Sequence, residues 1–164
     1  MGERQVRRGT LVLIVGEAGA GKSRLVAEFR TRLSEIPHTW IHYNGSPLLQ
    51  SSSFYPIAEW GRRRFDAAAP PADRLAELEK TLTQLGLDAE TIAPLVAPLV
   101  DVPLPSDRVP KLDPDELLRR QLAGGESWVL ASARTQPAVL AFDDLQWCDS
   151  ASLAFLAALA DRGA

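Results

Sequence analysis

GEAGAGKS, residues 16–23, follows the apolar run TLVLIV (residues 10–15) and precedes RLVAEF (residues 24–29). Gly16, Gly19 and Gly21 permit backbone angles closed to other residues, so successive N–H groups can turn inward around phosphate oxygens. TLVLIV is β-branched and apolar, as expected of a strand buried on both faces of a parallel sheet. Leu25, Val26, Phe29 and Leu33 recur at helical spacing, which predicts a helix over about residues 21–34, before Pro37. The positive end of that helix would add its own attraction for an anion. In the pattern GxxxxGK[ST], Lys22 reaches the β and γ phosphates and the Ser23 hydroxyl coordinates Mg²⁺. The nucleotide-binding set is therefore Gly16, Glu17, Ala18, Gly19, Ala20, Gly21, Lys22, Ser23 and Arg24. The dinucleotide fingerprint GxGxxG fails here, because Arg24 occupies its third glycine position.

Working outward, WIHY (residues 40–43) is expected to be a second strand closed by the turn residues NGSP. The middle of the chain is expected to be helical and irregular. Residues 55–65 form one helix, and Leu75, Leu78, Leu82 and Leu85 mark another before Gly86. Ile92, Leu95, Val96 and Leu99 continue that spacing, but Pro94 and Pro98 are expected to interrupt it, Pro98 in particular imposing a kink or an early stop. After the proline-rich VPLPSDRVPKLDP, a helix restarts near residues 113–115 and runs to about Arg134, with Gly124 and Gly125 weakening its centre. AVLAFDD then gives a third strand, and Asp149 or Ser150 caps a last helix carrying Leu153, Leu156 and Leu159.

The strand AVLAFDD ends in Asp143 and Asp144. A carboxylate at such a strand tip can hold the Mg²⁺ shell, and an acidic neighbour can orient or deprotonate an attacking water. Asp143 is the metal-side candidate, with Ser23. Asp144 is the catalytic candidate, with Lys22, although Asp is one methylene shorter than Glu and slow hydrolysis is expected.

The 164 residues, 46% hydrophobic and 24% charged with a net charge of −3, suit one soluble domain with no general attraction for nucleic acid or anionic lipid. The leading MGERQVRRG lacks an apolar signal core, and no stretch approaches the roughly 18 apolar residues of a spanning helix, so a cytoplasmic chain is expected. One cysteine, Cys148, excludes an internal disulfide and is expected to be a small buried residue. His38 and His42 have no partner at metal-ligand spacing and are expected on the strand surface. Arg62, Arg63 and Arg64 suit a solvated helix face. PKLD (residues 110–113) falls one residue short of the guanine signature NKxD, and no apolar strand precedes it.

With both motifs located, the chain resembles the NTPase domain of the STAND class of P-loop signalling ATPases, also described as origin-recognition-complex-like AAA ATPase domains. Such modules are found fused to class III adenylyl or guanylyl cyclases, serine/threonine kinases or LuxR-type regulators. GEAGAGKSRLVAEF resembles their Walker A region, FDDLQWCDSASLAFL their Walker B region, and SPLLQSSSFYPIAEW a stretch between the two. Gln146 and Cys148 stand where the family commonly has His and Ala. The resemblance implies an α/β P-loop fold, a parallel sheet flanked by helices, incomplete here, with a helical insertion between the second and third strands. Residues 1–50 would form the Walker A unit, 51–135 the helical segment, and 136–164 the Walker B strand and helix. It also implies ATP with Mg²⁺, and an attached or associated output domain.

In the related fold a sensor strand separates the two motif strands. The chain is expected to be a fragment lacking it, with unsatisfied strand edges that favour self-association. Three functions remain open: a slow ATPase switch, a nucleotide-binding regulatory module without turnover, and a P-loop kinase acting on a small molecule.

Overall fold

Two segments pair as strands in the computed structural model, which describes residues 9–163, with side chains as far as Asp161. The leading MGERQVRR and Ala164, parts of the terminal readings above, lie outside the described residues. Strand β1 (Thr39–Asn44) runs parallel to β2 (Ala138–Asp143), in register from Thr39 beside Ala138 to Asn44 beside Asp143. Strand pleating sends alternate side chains to opposite faces. Ile41, Tyr43, Leu140 and Phe142 turn toward the helical core. His42, Asn44 and Asp143 accordingly share the other face.

Helix α1 (Lys22–Arg32) precedes β1. Four helices then fill the connection between the strands: α2 (Tyr55–Arg64), α3 (Pro71–Gln84), α4 (Ala89–Val96) and α5 (Pro114–Thr135). Helix α6 (Ser150–Gly163) follows β2. The expected helical insertion between the WIHY and AVLAFD strands is present. Pro98 does stop its helix, since α4 ends at Val96 and a 3₁₀ turn begins at Pro98, whereas Pro94 does not interrupt it and lies inside α4. Proline at the first position of that turn gives up no hydrogen bond, because its N–H would be unpaired there anyway.

The core lies between the sheet and these helices. Leu78, Leu82, Val96 and Val100 are fully buried, and Tyr43 stacks on Phe142 with ring centroids 4.5 Å apart. Gly124 and Gly125 do not act as the expected weak point of α5. A Cβ at Gly124 would lie 3.2 Å from Val96 Cγ1, and one at Gly125 would lie 2.9 Å from Phe155 Cε2. The missing side chains let α4 and α6 approach, and that packing outweighs the helical cost of glycine.

The main correction concerns residues 10–15. TLVLIV forms no strand. It is open to solvent, with Leu13 69% and Val15 82% exposed. Apolar residues supply a tendency to be buried, but a strand also needs a neighbour to take its N–H and C=O groups. Among the described residues β1 and β2 pair only with each other. The sheet is therefore two-stranded.

Candidate functional site

The loop that precedes α1 is shaped by its own backbone. Gly19 and Gly21 sit at φ 81° and 86°, the left-handed region that glycine enters without steric cost. Gly21 is the N-cap residue of α1 and offers no side-chain cap, and the first turn holds no acidic residue. Among the described residues the N–H groups of Gly21, Lys22, Ser23 and Arg24 have no acceptor. A run of unpaired N–H groups at the positive end of a helix is suited to receive an anion. Lys22 folds back over the loop, and its Nζ donates to Gly16 O at 2.7 Å and Glu17 O at 2.8 Å. The ammonium is thus held against the loop, with no carboxylate partner among the described residues.

Phe29 and Arg30 of α1 meet Trp40 near the start of β1, with ring centroids 6.1 Å apart for Phe29 and the guanidinium 5.6 Å above the indole. Trp40 alternates with Ile41, so α1 touches the sheet on the face that carries His42 and Asp143. The later half of the helix makes this contact. No described hydrogen bond or ion pair links residues 16–24 to Asp143 or Asp144, and the sheet contact of α1 is made by Phe29 and Arg30, beyond the loop.

Asp143 ends β2. Its Oδ2 accepts a hydrogen bond from His42 Nε2 at 3.1 Å, with side chains 26% and 35% exposed respectively. His42 is a strand-surface residue as expected, but its bond to Asp143 could not be read from sequence spacing. His38 lies just before β1, where Nδ1 donates to Ile36 O at 2.6 Å. Asp144 leaves the strand in the left-handed conformation, φ 55° and ψ 48°. Its exposed carboxylate accepts from Gln146 Nε2 at 3.1 Å. A non-glycine residue held in that region stores strain, and such residues cluster at working sites.

The turn after β2 is fastened to the chain that leaves β1. Gly45 N donates to Asp143 O at 3.0 Å, and Gln50 Nε2 donates to Gln146 O at 2.9 Å. A Cβ on Gly45 would lie 2.4 Å from Asp144 O, so only glycine fits there. Asp149 is buried. Its Oδ1 accepts from Phe54 N and Ser152 N, both at 2.9 Å, and its Oδ2 from the Ser152 hydroxyl at 2.6 Å. It is therefore the cap of α6, and it also holds Phe54 in its own left-handed conformation. Sequence reasoning missed Gly45, Gln50 and the second role of Asp149, because each acts across a gap of about a hundred residues. The only local hint was NGSP, whose glycine marks a turn.

Cys148 is buried between these groups, and burial, with Asp149 and Asp144 nearby, pushes its thiol above the ordinary pKa. That makes it a poor nucleophile. Arg62 and Arg63 are paired with Glu59, and Arg64 with Glu77, so the arginine run is engaged within the chain. An apolar cavity of about 270 Å³, lined by Tyr43, Trp60, Trp128 and Phe155, lies on the opposite sheet face and includes none of the motif residues.

A family model described as the AAA ATPase domain matches residues 3–164. The chain belongs to the AAA ATPase domain family. No curated protein and no solved structure matches it. Membership assigns the loop to a P-loop nucleotide-binding domain, and the two-stranded parallel sheet with its helices is an incomplete α/β arrangement of that kind. Nucleotide binding follows from the family. No helix among the described residues is long and apolar enough to cross a membrane.

The donor set suits an AAA domain's Mg²⁺. Ser23 and Asp143 offer hard oxygen donors, and no group of three or more His, Cys, Asp or Glu is gathered among the described residues. Mg²⁺ takes few protein ligands and completes its shell with water and phosphate oxygens. A hydroxyl and a carboxylate are donors of the type that mode uses.

Proposed function

We propose that this AAA domain binds Mg·ATP at residues 16–24 and hydrolyses it slowly, as a regulatory switch for an attached or associated signalling output domain. The observation that carries the binding is the row of unpaired N–H groups from Gly21 to Arg24, set behind two left-handed glycines. Those N–H groups receive the phosphate oxygens. Lys22 exchanges the carbonyls of Gly16 and Glu17 for the β and γ phosphates, a move favoured because phosphate carries full charge and the carbonyls do not. Ser23 and Asp143 would hold the metal side. Bound there, Mg²⁺ neutralises charge developing between the β and γ phosphates. ATP is preferred to GTP on the resemblance and on the absence of the guanine signature in PKLD.

Asp144 is the group that receives a proton from water. Gln146 fixes one of its oxygens, and the left-handed turn presents the carboxylate to solvent. Its short side chain supports slow turnover. Single-turnover hydrolysis, compared with Asp144→Asn, decides among the readings. Phosphate release that the variant loses supports the switch. Binding without release supports a regulatory module, and transfer to an acceptor other than water supports a kinase. The exposed run TLVLIV favours a strand neighbour supplied by self-association or by another part of the working protein. Sedimentation that depends on concentration in the wild type and not in Leu13→Lys would show self-association.

A further inference from the structure

We propose that His42 is a positioning residue for Asp143, holding one carboxylate oxygen so that the other is presented to the nucleotide's cation. The inference rests on the reading of Asp143 as the metal-side residue.

Asp143 is the last residue of β2, and the chain beyond it turns into the left-handed conformation at Asp144. Nothing in its own strand fixes the rotation of its carboxylate. The parallel register supplies what the strand lacks. Asn44 lies beside Asp143, and His42, two residues earlier, projects from the same face. Its Nε2 donates to Oδ2 at 3.1 Å, and that is the described hydrogen bond to the carboxylate. Oδ1 has no partner among the described residues and would be left for the cation.

Both side chains are about one-third exposed or less, 35% for His42 and 26% for Asp143. The pair is accessible to a small cation yet shielded enough for the bond to restrict the carboxylate. Trp40, on the same face, is packed against Phe29 and Arg30 of α1, so the strand carrying His42 is also the strand that meets the phosphate-loop helix. Strand β1 thus meets the later half of the helix that follows the loop, and its His42 ring holds Asp143.

A merely structural role and a positioning role differ in what they disturb. The test is binding of a fluorescent ATP analogue to the full chain at fixed pH, first in EDTA and then across a Mg²⁺ titration. The proteins are wild type, His42→Ala, His42→Gln and Asp143→Asn. The account expects equal affinity in EDTA for wild type and both His42 variants. It expects the Mg²⁺ half-point to rise about 10-fold in His42→Ala, the scale seen when a partner of a metal ligand is removed. His42→Gln, which keeps an N–H donor of similar reach, should recover most of that rise.

An unchanged half-point in His42→Ala, with a raised one in Asp143→Asn, overturns the role of His42 while leaving Asp143 in place. An unchanged half-point in Asp143→Asn overturns the metal-side reading itself. Loss of affinity in EDTA by His42→Ala overturns positioning in favour of a structural role.

Discussion

Residues 9–36 and residues 55–131 are held by different forces. In the first region the conformation of the loop is written in its own backbone, by glycines at φ 81° and 86°, and its apolar side chains remain open to solvent. In the second, Leu78, Leu82, Val96 and Val100 are fully enclosed, and Gly61 is so close to its neighbour that a Cβ would lie 2.1 Å from Val100 O. The lesson is that a loop can take its shape from its own backbone while the sheet beside it lacks a strand. A phosphate cradle needs only a short run of permissive angles and a helix start, whereas a sheet strand needs a neighbour.

The contrast is sharpest when one substitution is made in both regions. Leu78→Ala should cost about 3 kcal/mol by opening a cavity in the packed helices. Leu13→Ala should change stability by less than about 0.5 kcal/mol, since Leu13 is already exposed. Urea unfolding of both variants checks this, and equal losses would mean that residues 10–15 are buried in solution. Asp149→Ala should cost about 2 kcal/mol, because it removes the α6 cap and leaves the N–H of Phe54 without its acceptor. Its nucleotide affinity should change less than its thermal midpoint. The reverse result would tie the turn after β2 directly to phosphate binding.

A smaller effect tests the wall between sheet and helices. Burial raises the Tyr43 hydroxyl above its ordinary pKa. Above about pH 10 the phenol ionises in the unfolded chain before it does so in the folded one, so the unfolded state binds fewer protons. Stability is complete below that pH and falls as pH rises, by at most roughly 1.4 kcal/mol per pH unit from this group. Tyr43→Phe should flatten the alkaline limb of a stability–pH curve. An unchanged slope would place the ring in solvent.

How much was legible in the sequence follows the same division. GEAGAGKS was readable as a glycine-shaped loop that opens a helix, because that geometry depends on residues adjacent in the chain. The Asp143–Asp144 strand tip and the helices flanking Leu78 and Val96 were readable from periodicity. The strand over residues 10–15 was not, because its apolar pattern says nothing of whether a neighbour is present. Gly124 and Gly125 were misjudged for a related reason: glycine lowers helical propensity locally, while the benefit of close approach to Val96 and Phe155 comes from elsewhere in the chain. The His42–Asp143 bond spans the whole helical insertion and became visible only with the register of β1 on β2.

The most direct test of the central claim is the thermal melt of the chain with and without Mg·ATP, alongside Lys22→Ala. Ligand at about 100 times its dissociation constant should stabilise the wild type by roughly 2.7 kcal/mol. Among the described residues Lys22 bonds only to exposed carbonyls of its own loop, so the variant should melt at the wild-type midpoint without nucleotide and show no rise with it. An equal rise in both proteins, or none in the wild type, would contradict the assignment of phosphate binding to this loop.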